Sequence, residues 1–174
     1  LEALALLRRR GHEVILADGG SIDGTPQLAS GLCDRVVTSA PGRGVQMNAG
    51  ARAATGDALL FLHVDTQIPF PPEKFIFESL SNSKWGRFDV EIEGRHRLLK
   101  VIAWSMNLRS RLTGIATGDQ AIFVRRAAFP GFPEIALLED VAFSKAMKRR
   151  GPPACLRLRV RTSGRRWEER GVLR

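Results

Sequence analysis

The amino-acid sequence predicts an α/β protein with a mostly parallel central sheet, helices on both faces of that sheet and a mixed second half. Helical and strand patterns alternate over the first 65 residues. The strands of this region, such as 58–62, are short and almost continuously apolar, which is typical of parallel sheets covered on both faces. Polar clusters follow two of these strands, where ligands bind in such sheets.

Each element follows from a local pattern. Apolar residues at helical spacing predict helices over 2–10, 25–32, 45–55, 72–80, 95–112 and 139–150. Thr25 and Pro26 form an N-cap and first-turn pair, and Gly11 and Gly151 end two of these helices. Apolar runs predict strands over 13–17, 35–38, 58–62, 85–91, 120–124 and 156–161.

The amino-acid composition predicts a single globular domain and a reducing compartment. The 174 residues are 44% hydrophobic and 26% charged, which predicts one globular domain and excludes a disordered chain. Two cysteines, Cys33 and Cys155, cannot form a disulfide framework at this size, so we expect a reducing, cytoplasmic compartment. We find no apolar run of the roughly 18 residues that a membrane span needs.

The charge of the chain is unevenly distributed. Residues 1–144 hold 16 basic and 16 acidic side chains, whereas residues 145–174 hold 11 basic and two acidic ones and so carry the whole net charge of +9. A basic C-terminal segment suits nucleic acid, anionic lipid headgroups or a phosphorylated ligand. The helix over 95–112 has apolar and basic residues, so it either packs on a core or contacts a membrane surface.

Two glycine-rich loops could contact a nucleotide. Asp18, Ser21 and Asp23 follow the first predicted strand, where they could bind a ribose or a base edge or simply cap their own turn. A second group at a helix start could meet a pyrophosphate or form a plain connection. Its members are Arg43, Gln46 and Asn48.

Carboxylates occur at two further positions suited to chemistry. If the strand 58–62 continues, alternation puts His63 and Asp65 on one side, where Asp65 could hold a divalent cation on two phosphates or cap the next loop. Glu139 and Asp140 begin a helix, where they either complement its dipole or supply a general base.

In order along the chain, several segments together resemble a family 2 glycosyltransferase with the GT-A fold. They are ADGGSIDGT (17–25), GRGVQMNAG (42–50), LFLHVD (60–65), GDQAIFVRR (118–126) and ED (139–140). The segment 118–126 and the tail RRWE (165–168) are similar to a small bacterial subgroup of that family. The resemblance covers almost the whole chain.

The resemblance implies an inverting transfer of a sugar from a nucleoside-diphosphate sugar to an acceptor hydroxyl. It implies a donor half over about 1–66 and an acceptor half over about 67–174. Asp140, with Glu139, would act as the base, and Asp65 would bind Mn²⁺ or Mg²⁺. Donor binding would involve Asp18, Ser21, Asp23, Arg43, Gln46, Asn48 and His63. Acceptor binding would involve Gly118, Asp119, Gln120, Arg165, Arg166 and Trp167.

The sequence departs from the family pattern at three points. Gly19 and His63 stand where the family has aspartates. As the third departure, the family's first strand has no match here, and we expect it to precede Leu1. Two other functions stay open, a nucleotidyltransferase on a related fold and a basic nucleic-acid-binding module. The acceptor is unknown and includes a lipid phosphate among the candidates, with the protein then peripheral to the inner face of the membrane.

Overall fold

A computed structural model describes residues 4–165 of the chain. Within them the α-helices are α1 (Ala5–Arg9), α2 (Thr25–Ala29), α3 (Arg43–Ala53), α4 (Pro72–Asn82), α5 (Leu98–Thr113) and α6 (Glu139–Lys148). The strands are β1 (Ile15–Asp18), β2 (Arg35–Thr38), β3 (Ala58–Leu60), β4 (Thr66–Gln67), β5 (Trp85–Glu93), β6 (Phe123–Arg125) and β7 (Ala154–Ser163). Two 3-10 helices cover Gly118–Gln120 and Arg126–Ala128.

Every predicted helix and strand has a counterpart, with ends that differ by a few residues. The short strand β4 is not predicted. The prediction of a strand from residue 120 is wrong at its start, because Gly118–Gln120 forms a 3-10 helix and β6 begins only at Phe123. None of the described helices combines the length and the apolar character needed to cross a membrane.

The chain divides into two compact units. The first unit contains the residues up to Leu59 together with Arg126–Phe143, and the second contains Leu60–Arg125 with the residues from Ser144 onward. This division differs from the predicted halves, which meet near residue 66. In the structure the segment that carries Glu139 and Asp140 belongs to the same unit as Asp18.

The first unit contains a two-stranded parallel sheet. Strands β1 and β2 pair in register from Ile15 opposite Arg35 to Asp18 opposite Thr38. Val14, Ala29 and Cys33 form a small buried cluster beside them. A second apolar cluster holds the segment before α6, because the rings of Phe132 and Phe143 stack with centroids 4.4 Å apart and Phe129 packs against both.

The second unit contains a mixed sheet in which β6, β5, β7 and β4 are neighbours in that order. Strands β5 and β7 are parallel, whereas β6 and β4 run antiparallel to their neighbours. The predicted parallel pairing holds for β1–β2, and the mixed strand directions around β5 confirm the predicted mixed second half. Apolar runs indicate that a strand is buried on both faces, but they do not encode the direction of its neighbours.

The core of the second unit lies around β5. Trp85, Phe88 and Phe123 are completely buried, and the last two rings meet edge to face at 5.7 Å. The indole of Trp85 donates a hydrogen bond to the Gly151 carbonyl at 3.0 Å, which satisfies its only polar atom. Helix α5 packs on β5 through its buried residues Leu99 and Ala103.

Candidate active site

Asp18, the last residue of β1, is held in place by the loop that follows it. Its buried carboxylate accepts hydrogen bonds from the backbone N–H groups of Gly20 and Ser21, both at 2.9 Å. The Ser21 side chain, the Ser21 backbone and the Gly20 backbone hold the pKa of Asp18 below its usual value. Asp18 is therefore a preorganised anion at the carboxyl end of a parallel strand, the position at which ligands bind in α/β sheets.

Asp23 has a more local role in the same loop. Its carboxylate accepts hydrogen bonds from the Thr25 hydroxyl at 2.6 Å and the Thr25 backbone N–H at 3.0 Å. These Thr25 contacts lower the pKa of Asp23. Of the two interpretations that the sequence leaves open, the observed contacts match the self-capping turn before α2.

Helix α3 connects the Asp18 loop to the segment before α6. The Gln46 carboxamide donates to the Ala17 carbonyl at 3.3 Å. A Cβ at position 19 would lie 3.0 Å from the same Gln46 carboxamide. Two residues before Gln46, a Cβ on Gly44 would lie 2.5 Å from the Pro133 carbonyl oxygen. Gly19 and Gly44 therefore allow two loops to approach this helix closely.

The side chain of Asn48 forms hydrogen bonds within the first unit. Its Nδ2 donates to the Phe132 carbonyl at 2.8 Å, and its Oδ1 accepts from the Phe132 N–H at 2.7 Å, so the side chain imitates a strand partner. Asn48 is also within 3.3 Å of the Glu134 carboxylate. These contacts fix the segment before α6, whereas the sequence predicts donor binding for the same side chain.

Glu139 and Asp140 form the first turn of α6, where the helix dipole favours carboxylates. Glu139 is buried and lies 3.9 Å from the half-exposed guanidinium of Arg43. Asp140 is partly exposed, and its Oδ1 accepts the Val141 backbone N–H at 2.7 Å. The adjacent carboxylates thus have different environments, one buried beside a cation and one open to solvent.

The residue before this pair has an unusual backbone. Leu138 has φ = 65°, a left-handed conformation that is costly for a branched side chain. In the described part of the chain, Ala121 (φ = 46°) is the other residue besides glycine with positive φ, and it directly follows Gly118–Gln120. Backbone strain therefore accompanies two of the segments that the sequence singles out, and no sequence signal marks it.

His63 and Asp65 lie in a reverse turn of the second unit, not at the end of a strand. Strand β3 ends at Leu60, and the Thr66 N–H donates to the His63 carbonyl at 3.0 Å. The expectation that strand alternation puts His63 and Asp65 on one side is therefore wrong, because residues 63–65 do not continue strand β3. Asp65 is nonetheless exposed on this turn.

The structure brings His63 together with Gly118 and Asp119. The imidazole Nδ1 is 3.4 Å from the Asp119 carboxylate. The other edge of the ring lies against Gly118, where a Cβ would come within 2.5 Å of Cε1 and 2.6 Å of Nε2. His63 thus ties the turn that carries Asp65 to the 3-10 helix Gly118–Gln120.

Gln120 is completely buried beneath this 3-10 helix. Its Oε1 accepts the Thr117 N–H at 3.2 Å, and its Nε2 donates to Asn107 Oδ1 at 3.3 Å and Ser110 Oγ at 3.1 Å. The prediction that Gln120 contacts the acceptor needs correction, because a side chain with no exposed surface and a fully bonded carboxamide cannot reach a ligand. Gln120 positions Gly118 and Asp119 instead.

A buried ionic group next to this site is not anticipated from the sequence. Arg87, completely buried on β5, pairs with Asp89 and donates to the Asn107 carbonyl at 3.2 Å. Arg111 on α5 donates to the other oxygen of Asp89 at 2.6 Å. The alternation of Arg87 and Asp89 within a buried strand is the signal that could have revealed it, because buried charges require partners.

The predicted acceptor residues of the tail are only partly described. Arg165 is exposed, and its backbone N–H donates to Ser163 Oγ at 3.3 Å. Arg166 and Trp167 lie outside the described residues. Their predicted contact with the acceptor stays a prediction.

A divalent cation at the turn that carries Asp65 would take most of its ligands from substrate and water. Among the described residues, no three His, Cys, Asp or Glu side chains come together as a complete metal cage. Mg²⁺ in nucleotide enzymes is usually held by one or two carboxylates together with substrate phosphates. The exposed carboxylate of Asp65 is one donor that could hold such a cation.

Comparison with known protein families finds a match for the first part of the chain. Residues 1–75 match the family model of Glycosyl transferase family 2. No curated protein matches the chain significantly in sequence.

Solved structures share the fold at low sequence identity. TarS (residues 1–349) of S. aureus, solved with UDP-GlcNAc, is 20% identical with a TM-score of 0.65, and the match covers 87% of this chain and 49% of that chain. Glucosyl-3-phosphoglycerate synthase of Mycobacterium tuberculosis, solved with Mn²⁺ and UDP-glucose, is 17% identical with a TM-score of 0.55 over 86% of this chain and 58% of that enzyme. Mannosyl-3-phosphoglycerate synthase of Rubrobacter xylanophilus is 17% identical with a TM-score of 0.54, over 99% and 70%.

The chain spans about half the length of the TarS structure that it matches. Its α/β fold is that of the GT-A glycosyltransferases. Over its first 75 residues the chain is similar to the glycosyl transferases of family 2.

Proposed function

We propose that the protein transfers a sugar from a nucleoside-diphosphate sugar to an acceptor hydroxyl, with inversion at the anomeric carbon. The observation that carries this proposal is the arrangement around α3 in the first unit. One helix holds the Asp18 loop through Gln46 and approaches the Glu139–Asp140 pair through Arg43. The carboxylate proposed to bind the nucleotide and the proposed base are thereby attached to the same helix.

Asp18 would bind the base or ribose of the donor. Its carboxylate is already ionised and oriented by the Gly20 and Ser21 N–H groups, so binding a ribose hydroxyl costs little reorganisation. The neighbours solved with UDP-GlcNAc and with UDP-glucose support a nucleotide sugar as the donor class.

Asp140 would act as the general base. In the reaction the acceptor oxygen forms a bond to the anomeric carbon while the bond from that carbon to the diphosphate oxygen breaks. The acceptor proton moves to the Asp140 carboxylate, and the electron pair leaves with the nucleoside diphosphate. Of the two carboxylates Asp140 suits this role, because it is the one with solvent access, whereas Glu139 is buried beside Arg43.

Asp65 would hold Mn²⁺ or Mg²⁺ against the diphosphate. The bound cation would neutralise charge that develops on the leaving group. Arg43 would add a second positive charge from the start of α3, where backbone N–H groups also favour phosphate. The Mn²⁺ and Mg²⁺ complexes of glucosyl-3-phosphoglycerate synthase support a divalent cation.

The test is calorimetric titration of the full-length protein with UDP, GDP and dTDP, each with and without Mn²⁺. We expect one nucleotide to bind and Mn²⁺ to strengthen that binding. Folded protein that binds none of the three would refute the proposed donor class. Tight, salt-sensitive binding to RNA without any response to nucleotides would favour a nucleic-acid-binding module instead.

Two variants separate the proposed roles. We expect Asp140→Asn to lower the transfer rate by about 10²–10⁴-fold while donor affinity stays close to wild type. We expect Asp65→Ala to lose the effect of Mn²⁺ on donor affinity. Asp57→Asn is the matched control, because it removes an exposed carboxylate that lies in a turn outside the proposed site. Near-normal turnover in Asp140→Asn would show that another group is the base.

A further inference from the structure

Helix α5 carries an apolar stripe on its outward side. Its buried residues Leu99, Ala103 and Ser110 pack toward β5. Four large apolar residues of the same helix are exposed: Val101 (57%), Trp104 (64%), Leu108 (38%) and Leu112 (77%). A helix of 16 residues in a globular protein normally points its large apolar side chains inward, so this second stripe calls for an explanation.

The four exposed residues lie on one line along the helix. Their spacing of three, four and four residues keeps them within roughly 80° of the helix circumference at 100° per residue. The centre of this arc lies opposite the arc formed by Leu99, Ala103 and Ser110. The stripe is thus continuous over about three turns and faces away from the core of the second unit.

Basic side chains surround the stripe. Residues 94–113 contain five lysines or arginines and no acidic residue. Lys100 and Arg111 lie on one side of the stripe, Arg109 lies on the other, and Arg97 precedes the first turn. Arg111 is partly committed to Asp89, whereas Lys100 and Arg109 are exposed.

We propose that α5 is a membrane-binding surface that lies flat on an anionic lipid bilayer. In this orientation Val101, Trp104, Leu108 and Leu112 enter the boundary between headgroups and acyl chains, and Lys100 and Arg109 contact lipid phosphates. An apolar stripe with an aromatic residue and flanking lysine and arginine is the pattern by which helices bind membrane interfaces.

The charges favour a lipid surface over a protein partner. A second copy of this chain would bring the same five cations against each other without any acidic residue of α5 to neutralise them. Long basic side chains can instead extend to the headgroups while their aliphatic parts cover the stripe. The inference is independent of the proposed transfer reaction, because all of its residues lie outside the proposed catalytic set.

The first experiment is co-sedimentation of the full-length protein with vesicles. We expect binding to vesicles of phosphatidylcholine with 30 mol% phosphatidylglycerol and much weaker binding to pure phosphatidylcholine. The double variant Trp104→Gln/Leu108→Gln should bind about 30-fold more weakly or worse. Lys100→Gln/Arg109→Gln should also lose about 30-fold, and only on the anionic vesicles.

Leu28→Gln is the matched control. Leu28 is as exposed as Leu112 but lies on α2 in the first unit, so its replacement should leave vesicle binding unchanged. Circular dichroism melts of all variants would exclude unfolding as the cause of lost binding.

Tryptophan fluorescence tests the orientation of α5 directly. Trp85 is completely buried, whereas Trp104 is exposed, so in a Trp167→Phe background a blue shift on anionic vesicles would report Trp104 entering the bilayer. Adding Trp104→Phe should remove the shift while binding persists. Equal vesicle binding by the wild type and by Trp104→Gln/Leu108→Gln would overturn the proposal. The proposal would also be overturned if the wild type did not bind vesicles but formed a dimer, and Trp104→Gln/Leu108→Gln were a monomer. The stripe would then be a contact between two copies of the chain.

Discussion

Replacing Gln120 by leucine tests whether this residue positions the candidate site or contacts the acceptor. Leucine has a similar volume and keeps the packing, but it removes the three hydrogen bonds of the carboxamide to Thr117, Asn107 and Ser110. Each buried hydrogen bond is worth about 1 kcal/mol, and each partner left unsatisfied adds to the loss. We therefore expect Gln120→Leu to lower the free energy of unfolding by about 3 kcal/mol.

The assay is urea denaturation of the wild type, Gln120→Leu and Ser110→Ala. Ser110→Ala removes one of these three contacts together with the hydrogen bond from the Ser110 hydroxyl to the Asn107 carbonyl, so it should cost about 1–2 kcal/mol, less than Gln120→Leu. An unchanged m-value would show that the unfolded reference is comparable among the variants.

A loss below about 1 kcal/mol for Gln120→Leu would refute the positioning role. If that variant also raised the KM for the acceptor while stability stayed normal, Gln120 would be an acceptor contact after all. The two roles therefore give opposite patterns in stability and in acceptor affinity.

Two further predictions concern stability. Gly118→Ala should destabilise the protein by about 1 kcal/mol, because the new methyl group meets the His63 ring, and adding His63→Ala should restore most of the loss; no rescue in differential scanning calorimetry would show that the ring is not the obstacle. Asp34 accepts hydrogen bonds from the Val14 N–H and from Arg8, which lower its pKa in the folded state. The ionised Asp34 carboxylate therefore stabilises the folded protein fully above its ordinary pKa of 3.8, and this stabilisation is lost as the pH falls through the lower pKa of the folded state. Asp34→Asn should then lose less stability than the wild type below about pH 4. The same loss of stability in both proteins, measured by denaturation at several acidic pH values, would contradict this.

Much of the element order can be read from the sequence because it depends on local patterns. Apolar periodicity and glycines predict each α-helix of the described residues, and the boundaries of β2 agree with the prediction at both ends. The position of Asp18 after a strand and of Glu139 and Asp140 at a helix start also follows from neighbours within a few residues. Such features need only short stretches of sequence to specify them.

The fate of individual polar side chains could not be predicted in this way. Asn48 is engaged by Phe132, 84 residues along the chain, and Thr66 contacts Thr162, 96 residues along. A sequence motif identifies a side chain that can bind a ligand, but it does not show whether a distant backbone group already forms hydrogen bonds with that side chain. Gln120 and Asn48 are both examples, since each looks like a ligand-binding residue in sequence and is hydrogen-bonded internally in the structure.

The sequence by itself determined the α/β class, the alternation of elements and the short segments that could carry chemistry, because secondary structure and turns respond to local spacing. Only the tertiary structure decided that β6 and β4 run antiparallel to their neighbours, that Asp18 and Asp140 share one unit, and that α5 faces outward with an apolar stripe. These properties depend on which distant residues pack together. The periodicity of α5 alone could not indicate which of its two apolar faces would be buried. The buried face is the one that packs against strand β5, and the position of β5 depends on the tertiary structure.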